Sequence, residues 1–252
     1  MRSQAGRLIL VAAALPVAMI AGCVSPQPKP TRLLVHVDTL DPHKVQQFET
    51  ARVRWVALLR TQHKSDRRGL YLKIGANSYY SVISFGRWRE LETIGDERAQ
   101  TMASLPADGK EYDRLCDETL AFPHASEIWR AETALSYLPT GRRLTDAVQV
   151  VIEDIKPTAD YEAAWKPIAA ALAQAKYPVE RRSYFSSYGS GRMLSFWLAP
   201  SAVVARTAPT LQQALTGAVG EERARALLDG WRACVLASQT LEVEPKPEMS
   251  SD

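Results

Sequence analysis

The chain reads as an α+β protein whose 252 residues run twice through one order of elements: strand, helix, two strands, helix, strand. Three observations carry that reading. Apolar residues recur at helical spacing in two long segments, 43–62 and 159–175. Each segment follows a short strand-like run and precedes a hairpin signal, Ala76-Asn77-Ser78 in one half and Gly189-Ser190-Gly191 in the other. The landmarks Gly75 and Gly189 lie 114 residues apart, a spacing suited to a small α/β unit rather than a solenoid repeat.

In the first half, residues 33–38 (LLVHVD) form a strand, and Asp41-Pro42 turns the chain. The helix over 43–62 gathers Val45, Phe48, Trp55, Val56 and Leu59 on one face. Strands follow over 70–75 and 79–85. A helical region broken by Pro106 and Gly109 leads to a closing strand over 128–137. The second half begins with a strand over 148–153 and a turn at Lys156-Pro157. Its helix, 159–175, places Tyr161, Trp165, Ile168 and Leu172 together, with Pro167 as a candidate kink. Strands over 182–188 and 192–198 flank the second hairpin, and helical runs over 209–216 and 221–237 precede a last strand over 240–244. The halves span 32–140 and 141–244, and 245–252 reads as a disordered tail.

The order βαββαβ is the ferredoxin-like split unit. Two such units in one chain resemble the tandem form of the dimeric α/β-barrel superfamily, over residues 32–244. The resemblance implies two facing sheets closed into a pseudo-dimeric α/β barrel with helices outside. Two independent ferredoxin-like domains packed in another way are the alternative. An internal repeat lets a monomer complete its own barrel, so a monomer is expected.

The N-terminus carries a separate signal. Arg2 and Arg7 precede an apolar run over 8–20 that ends at Ala21, Gly22 and Cys23. A basic start, an apolar core and small residues at the end are the layout of a secretory signal peptide, and 13 apolar-rich residues fall short of the roughly 20 that span a membrane. Ile20-Ala21-Gly22-Cys23 resembles the lipobox of bacterial lipoproteins. That resemblance implies cleavage after residue 22 and lipidation of Cys23, whose acyl chains would hold the protein stably at a membrane. Val24 stands where inner-membrane retention signals carry Asp, which favours the outer membrane, facing the periplasm. Residues 23–31, with prolines at 26, 28 and 30, read as an extended spacer.

Without residues 1–22, 29 Lys and Arg stand against 28 Asp and Glu. A near-neutral chain gives no electrostatic case for nucleic-acid binding. The basic clusters 64–68 and 181–182 read as solvated charge. Cys116 and Cys234 read as two separate buried thiols, with a disulfide between them as the alternative in an oxidising compartment. No Cys/His spacing suggests a metal site, no GxSxG motif suggests a serine hydrolase, and no cofactor is expected. Some barrels of the superfamily bind haem, but no proximal histidine is assignable here.

Alternation along the strands separates two faces. Leu33, Val35 and Val37 share one, and Leu34, His36 and Asp38 the other; Val148, Val150 and Ile152 lie opposite Glu153. The apolar faces are expected against the helices. The mixed faces are then expected between the sheets, where His36, Asp38, Arg130, Glu132, Glu153, Tyr184 and Tyr188 would line a candidate pocket. His36 beside carboxylates has the chemistry of a general base, whereas His43, His63 and His124 read as exposed loop or helix-start residues. The six tryptophans read as packing. With no catalytic constellation in sight, the expected function is a non-enzymatic envelope lipoprotein that binds a small apolar ligand or another envelope protein. The alternative is a cofactor-independent, monooxygenase-like enzyme with its pocket between the sheets.

Overall fold

Strand β1 (Arg32–Thr39) leads into α1 (Val45–Thr61), the hairpin β2 (Leu70–Ile74) and β3 (Ser78–Phe85), helices α2 (Trp88–Ser104) and α3 (Pro106–Thr119), and β4 (Ala125–Ala131). The second half repeats this with β5 (Ala147–Ile155), α4 (Thr158–Gln174), β6 (Glu180–Ser186) and β7 (Arg192–Leu198). It ends with α5 (Ala202–Thr207), α6 (Leu211–Val219), α7 (Glu221–Arg232) and β8 (Val235–Pro245). This computed structural model describes residues 32–188 and 191–251. The expected signal segment, Cys23, the spacer and the hairpin tip Gly189-Ser190 lie outside the described residues.

All eight strands pair antiparallel in the order β1-β3-β2-β8-β5-β7-β6-β4, and the ring is closed. Each half contributes the same internal order, β4-β1-β3-β2 and β8-β5-β7-β6. The seams β2–β8 and β4–β6 join them. Two ferredoxin-like halves therefore form one pseudo-barrel with the helices outside.

Several element boundaries differ from the sequence reading, each for a tertiary reason. Pro106 starts α3, where its missing N–H is no loss, and Gly109 sits inside that helix. Residues 133–135 turn out of β4 as a 3-10 segment, and Tyr137 reaches Arg181 through an isolated bridge. Helix α7 ends at Arg232, because β8 must start at Val235 to pair along β5 from Ile155 to Gln149. Pro167 lies within an unbroken α4. The carbonyl it leaves without an N–H partner belongs to Ala163, an exposed position where water can serve it.

The faces are inverted relative to expectation. Leu33, Val35, Leu72, Val82, Trp129, Val150, Leu194 and Phe196 point into the barrel and fill it. An eight-stranded barrel has an interior just wide enough to be filled by side chains, so the apolar faces turn inward and the mixed faces turn outward, beneath the helices. The space expected to hold a pocket between the sheets is core. Tyr184 belongs to that core, edge-on to Phe196 at 6.1 Å between centroids.

The segment read as a disordered tail is docked instead. Lys246 N–H donates to Tyr71 O at 2.8 Å, Met249 is fully buried, and Tyr71 N–H donates to Ser250 Oγ at 3.1 Å. The anchor is Arg52 on α1, which has no exposed surface. Its Nε donates to Met249 O at 2.8 Å, its Nη1 and Nη2 grip the Asp66 carboxylate, and Nη1 also reaches Tyr112 Oη at 3.3 Å. Trp55 Nε1 and Ser251 Oγ donate to the same carboxylate at 2.9 and 2.6 Å. Burial opposes ionisation of Asp66, but Arg52 and these donors outweigh it and hold the carboxyl at about 2, against an ordinary 3.8.

A native-state value below the unfolded one means that stability is present above pH 4 and is lost as pH falls toward 2, an effect of about 2 kcal/mol. Asp66→Asn leaves the Arg52 charge buried without its partner and is expected to cost about 3–5 kcal/mol. Urea unfolding from pH 2 to pH 7 checks both: the wild-type midpoint should fall on the acid side, and the variant should start low and lose this acid dependence.

Candidate functional site

The polar face of β1 lies under α1, α2 and α3, and a cleft of about 220 Å³ opens there. His36 and Asp38 of β1 form its floor, with Arg68 from the loop before β2. Arg98 of α2, Asp113 and Cys116 of α3, and His124 are among the residues of its walls. Strand alternation puts His36 and Asp38 side by side, with His36 Nε2 3.3 Å from Asp38 Oδ1. The β1–β4 register pairs His36 with Ser126, and continuing it by two positions brings His124 opposite Asp38. Donor atoms of His36, Asp38 and His124 lie within 4.8 Å of one another. Gly69 makes the placement of Arg68 workable: its φ is +65°, and a Cβ there would fall 2.3 Å from Val82 O.

The hydrogen bonding around His36 is informative. Its Nδ1 lies 2.9 Å from Ser126 Oγ. Its buried Nε2 has no hydrogen-bond partner and faces the Asp38 carboxylate. Asp38 is itself buried. The Nε2 atom and the carboxylate oxygen are close enough for a proton or a metal ion to lie between them. Two histidines and one carboxylate form a donor set for a divalent transition metal, and Ser126 is the kind of outer partner that fixes a ligating ring. Around this centre, burial pushes the Cys116 thiol up to about 11, so it is neutral at physiological pH. Burial also raises the Asp113 carboxyl, with Asp117 and Asp66 adding to the effect against Arg98 and Arg68.

Of the seven residues expected in one pocket, only His36 and Asp38 meet in the cleft. Arg130 and Glu132 form a peripheral ion pair at 2.6 Å, with Arg130 more than half exposed. Tyr188 is exposed at 68%, and Tyr184 is in the barrel. Glu153 is buried beneath α4, where it accepts from Tyr161 Oη at 2.6 Å and Arg181 Nη2 at 3.1 Å. Arg181 is far from being the solvated charge expected: it is 1% exposed, its guanidinium lying 4.1 Å from the Trp165 ring centroid. Cys116 and Cys234 are free thiols in separate clusters. His124, Arg68, Arg98 and Asp113 are cleft residues outside the set expected from the sequence.

The fold and the cleft together define an α/β barrel with its polar chemistry outside the ring. No protein-family model matches the sequence, and a search of curated proteins finds no match. Solved structures do match. A protein from Fusobacterium nucleatum assigned as a monooxygenase superposes with a TM-score of 0.53 at 10% identity, covering 86% of this chain and 93% of that one. An anthrone oxidase-like protein gives 0.48 at 14% identity, covering 88% and 94%. A chlorite dismutase variant from Candidatus Nitrospira defluvii gives 0.42 at 12%, also covering 88% and 94%. At such identities the likeness is one of fold.

The expectation of a non-enzymatic binding domain is corrected by these findings. The cleft gathers a metal-capable His–Asp–His set rather than the apolar surface that a passive binding role called for.

Proposed function

We propose that this chain is a monooxygenase-like enzyme whose reaction centre is the outer cleft of the first half, with a divalent transition metal held by His36, Asp38 and His124. The observation that carries the proposal is the 3.3 Å approach of His36 Nε2 to Asp38 Oδ1 without a hydrogen bond between them, with a third donor beside them. A metal there would supply Lewis acidity and open coordination positions, and this donor set suits iron(II) in oxygenases. The residues of the chain do the rest. Ser126 orients the His36 ring, Asp113 on the α3 wall can carry a proton, and exposed His124 leaves one side open to solvent. The cleft is smaller than the roughly 300–1,000 Å³ typical of pockets that enclose drug-sized ligands. It suits an ion with a small substrate better than a macrocycle such as haem. The monooxygenase-like reading is also consistent with the name given to the Fusobacterium protein that shares the fold.

Cobalt(II) titration of the full chain, followed by its visible absorption, tests the centre. One ion per chain is expected. Ser126→Ala should weaken binding about 10–100-fold, and His36→Ala and Asp38→Asn should weaken it further with the fold intact by circular dichroism. Absence of uptake, or uptake indifferent to His36 and Asp38, would overturn the proposal. Metal-dependent dioxygen consumption is the matching activity readout.

The same reading places the enzyme at the bacterial envelope, lipid-anchored through Cys23 and facing the periplasm from the outer membrane. Its support is the lipobox Ile20-Ala21-Gly22-Cys23 and the proline-rich spacer. Radiolabelled palmitate should label the wild type and not Cys23→Ser, and the variant should leave the membrane fraction. Equal labelling of both would reject the anchor.

A further inference from the structure

Two arginines share the cleft with the proposed metal centre, and neither has a carboxylate within ion-pair distance among the described residues. Arg68 has a buried Nε without a hydrogen-bond partner, although Asp38 acts on it electrostatically. Arg98 lines the opposite wall and its side chain makes no hydrogen bond or ion pair among the described residues; burial, then the Arg68 charge, pushes its guanidinium down from its usual range. The fully buried arginines elsewhere each hold a carboxylate: Arg52 grips Asp66, and Arg181 reaches Glu153 as well as Tyr161 and Ser195. Two guanidinium groups left without partners in a cleft that also holds an open donor set are a receptor lacking its anion.

The charge balance adds a condition. Asp38, Asp113 and Asp117 also line the cleft, so its carboxylates outnumber its arginines and oppose an anion. A divalent ion at His36, Asp38 and His124 reverses that sign. We infer that the substrate of this site is a small carboxylate anion, held between the metal and the Arg68–Arg98 pair, and that its binding requires the metal. This inference rests on the metal-centre reading above. A bidentate carboxylate fits both partners, since guanidinium offers parallel N–H donors and a metal accepts oxygen ligands.

The test uses oxalate as probe and the full chain with and without cobalt(II), by calorimetry and visible absorption. Expected results are oxalate binding to the cobalt form only, weakened at least tenfold in Arg98→Gln and in Arg68→Gln, while both variants still take up one cobalt(II) per chain. Arg98→Gln, at a half-buried helix position, guards against misfolding of the more enclosed Arg68 variant. If cobalt binds but oxalate affinity is the same in wild type and both variants, the anion inference fails and the metal reading stands. If oxalate binds equally with and without cobalt, the required coupling is wrong. If no cobalt binds, both readings fall together.

Discussion

Closing eight strands into a ring leaves a narrow interior, and in this chain packed apolar side chains fill it. Polar residues that alternate with this apolar set face outward, into the layer between sheet and helices. His36, Asp38, Ser81, Glu153 and Arg181 all lie on strands, and all sit in that layer rather than in the barrel. Desolvation there is nearly as severe as in the core, so each polar group needs a partner or a reason to lack one. The two halves meet this demand differently.

In the second half the buried carboxylate has a guanidinium partner. Glu153 takes hydrogen bonds from Tyr161 and Arg181, and Arg181 lies against Trp165, with Trp197 and Trp231 nearby. Aromatic faces attract the guanidinium where no acceptor reaches its Nε and Nη1. The residue at the corresponding place in the first half is Asp38, and nothing comparable covers it. Its neighbour on the strand is a histidine with an unpartnered nitrogen, and the space above is a cleft. One copy of the repeat pairs its carboxylate with an arginine beneath a helix, and the other sets its carboxylate beside a histidine at an opening. Such a difference between equivalent positions is better evidence for a site than either cluster alone.

The repeat was legible in the sequence because periodicity reports element type: 3.6 for α1 and α4, two for β1 and β5. Alternation also divides each strand into the correct two faces. It does not report which face is inside. In an open sheet the apolar face meets the helices, and only closure of the ring reverses this for Leu33, Val35 and Val150. Closure depends on the β2–β8 and β4–β6 seams, which are long-range pairings with no local signature. The same ignorance of register hid His124, a loop residue until β4 is laid beside β1. Arg68 and Arg181 looked like surface charge because burial of an arginine depends on partners distant in sequence. The C-terminal segment looked free for the same reason: Arg52 lies 197 positions before Met249.

That long-range contact also bears on the site. Tyr112 lines the cleft, stacks on Trp55 with ring centroids 5.1 Å apart, and accepts a hydrogen bond from Arg52. The wall of the cleft on α3 is therefore held by the same guanidinium that binds Asp66 and Met249. The wall on α2 is held less firmly. This helix buries only Ile94 and Thr101 among its 17 residues, and Arg98 rides on it. Segments with few buried contacts open at low free-energy cost. The architecture thus places a rigid floor, His36 and Asp38 on a barrel strand, and a rigid wall, Tyr112 on α3, opposite a lightly attached helix carrying a cation.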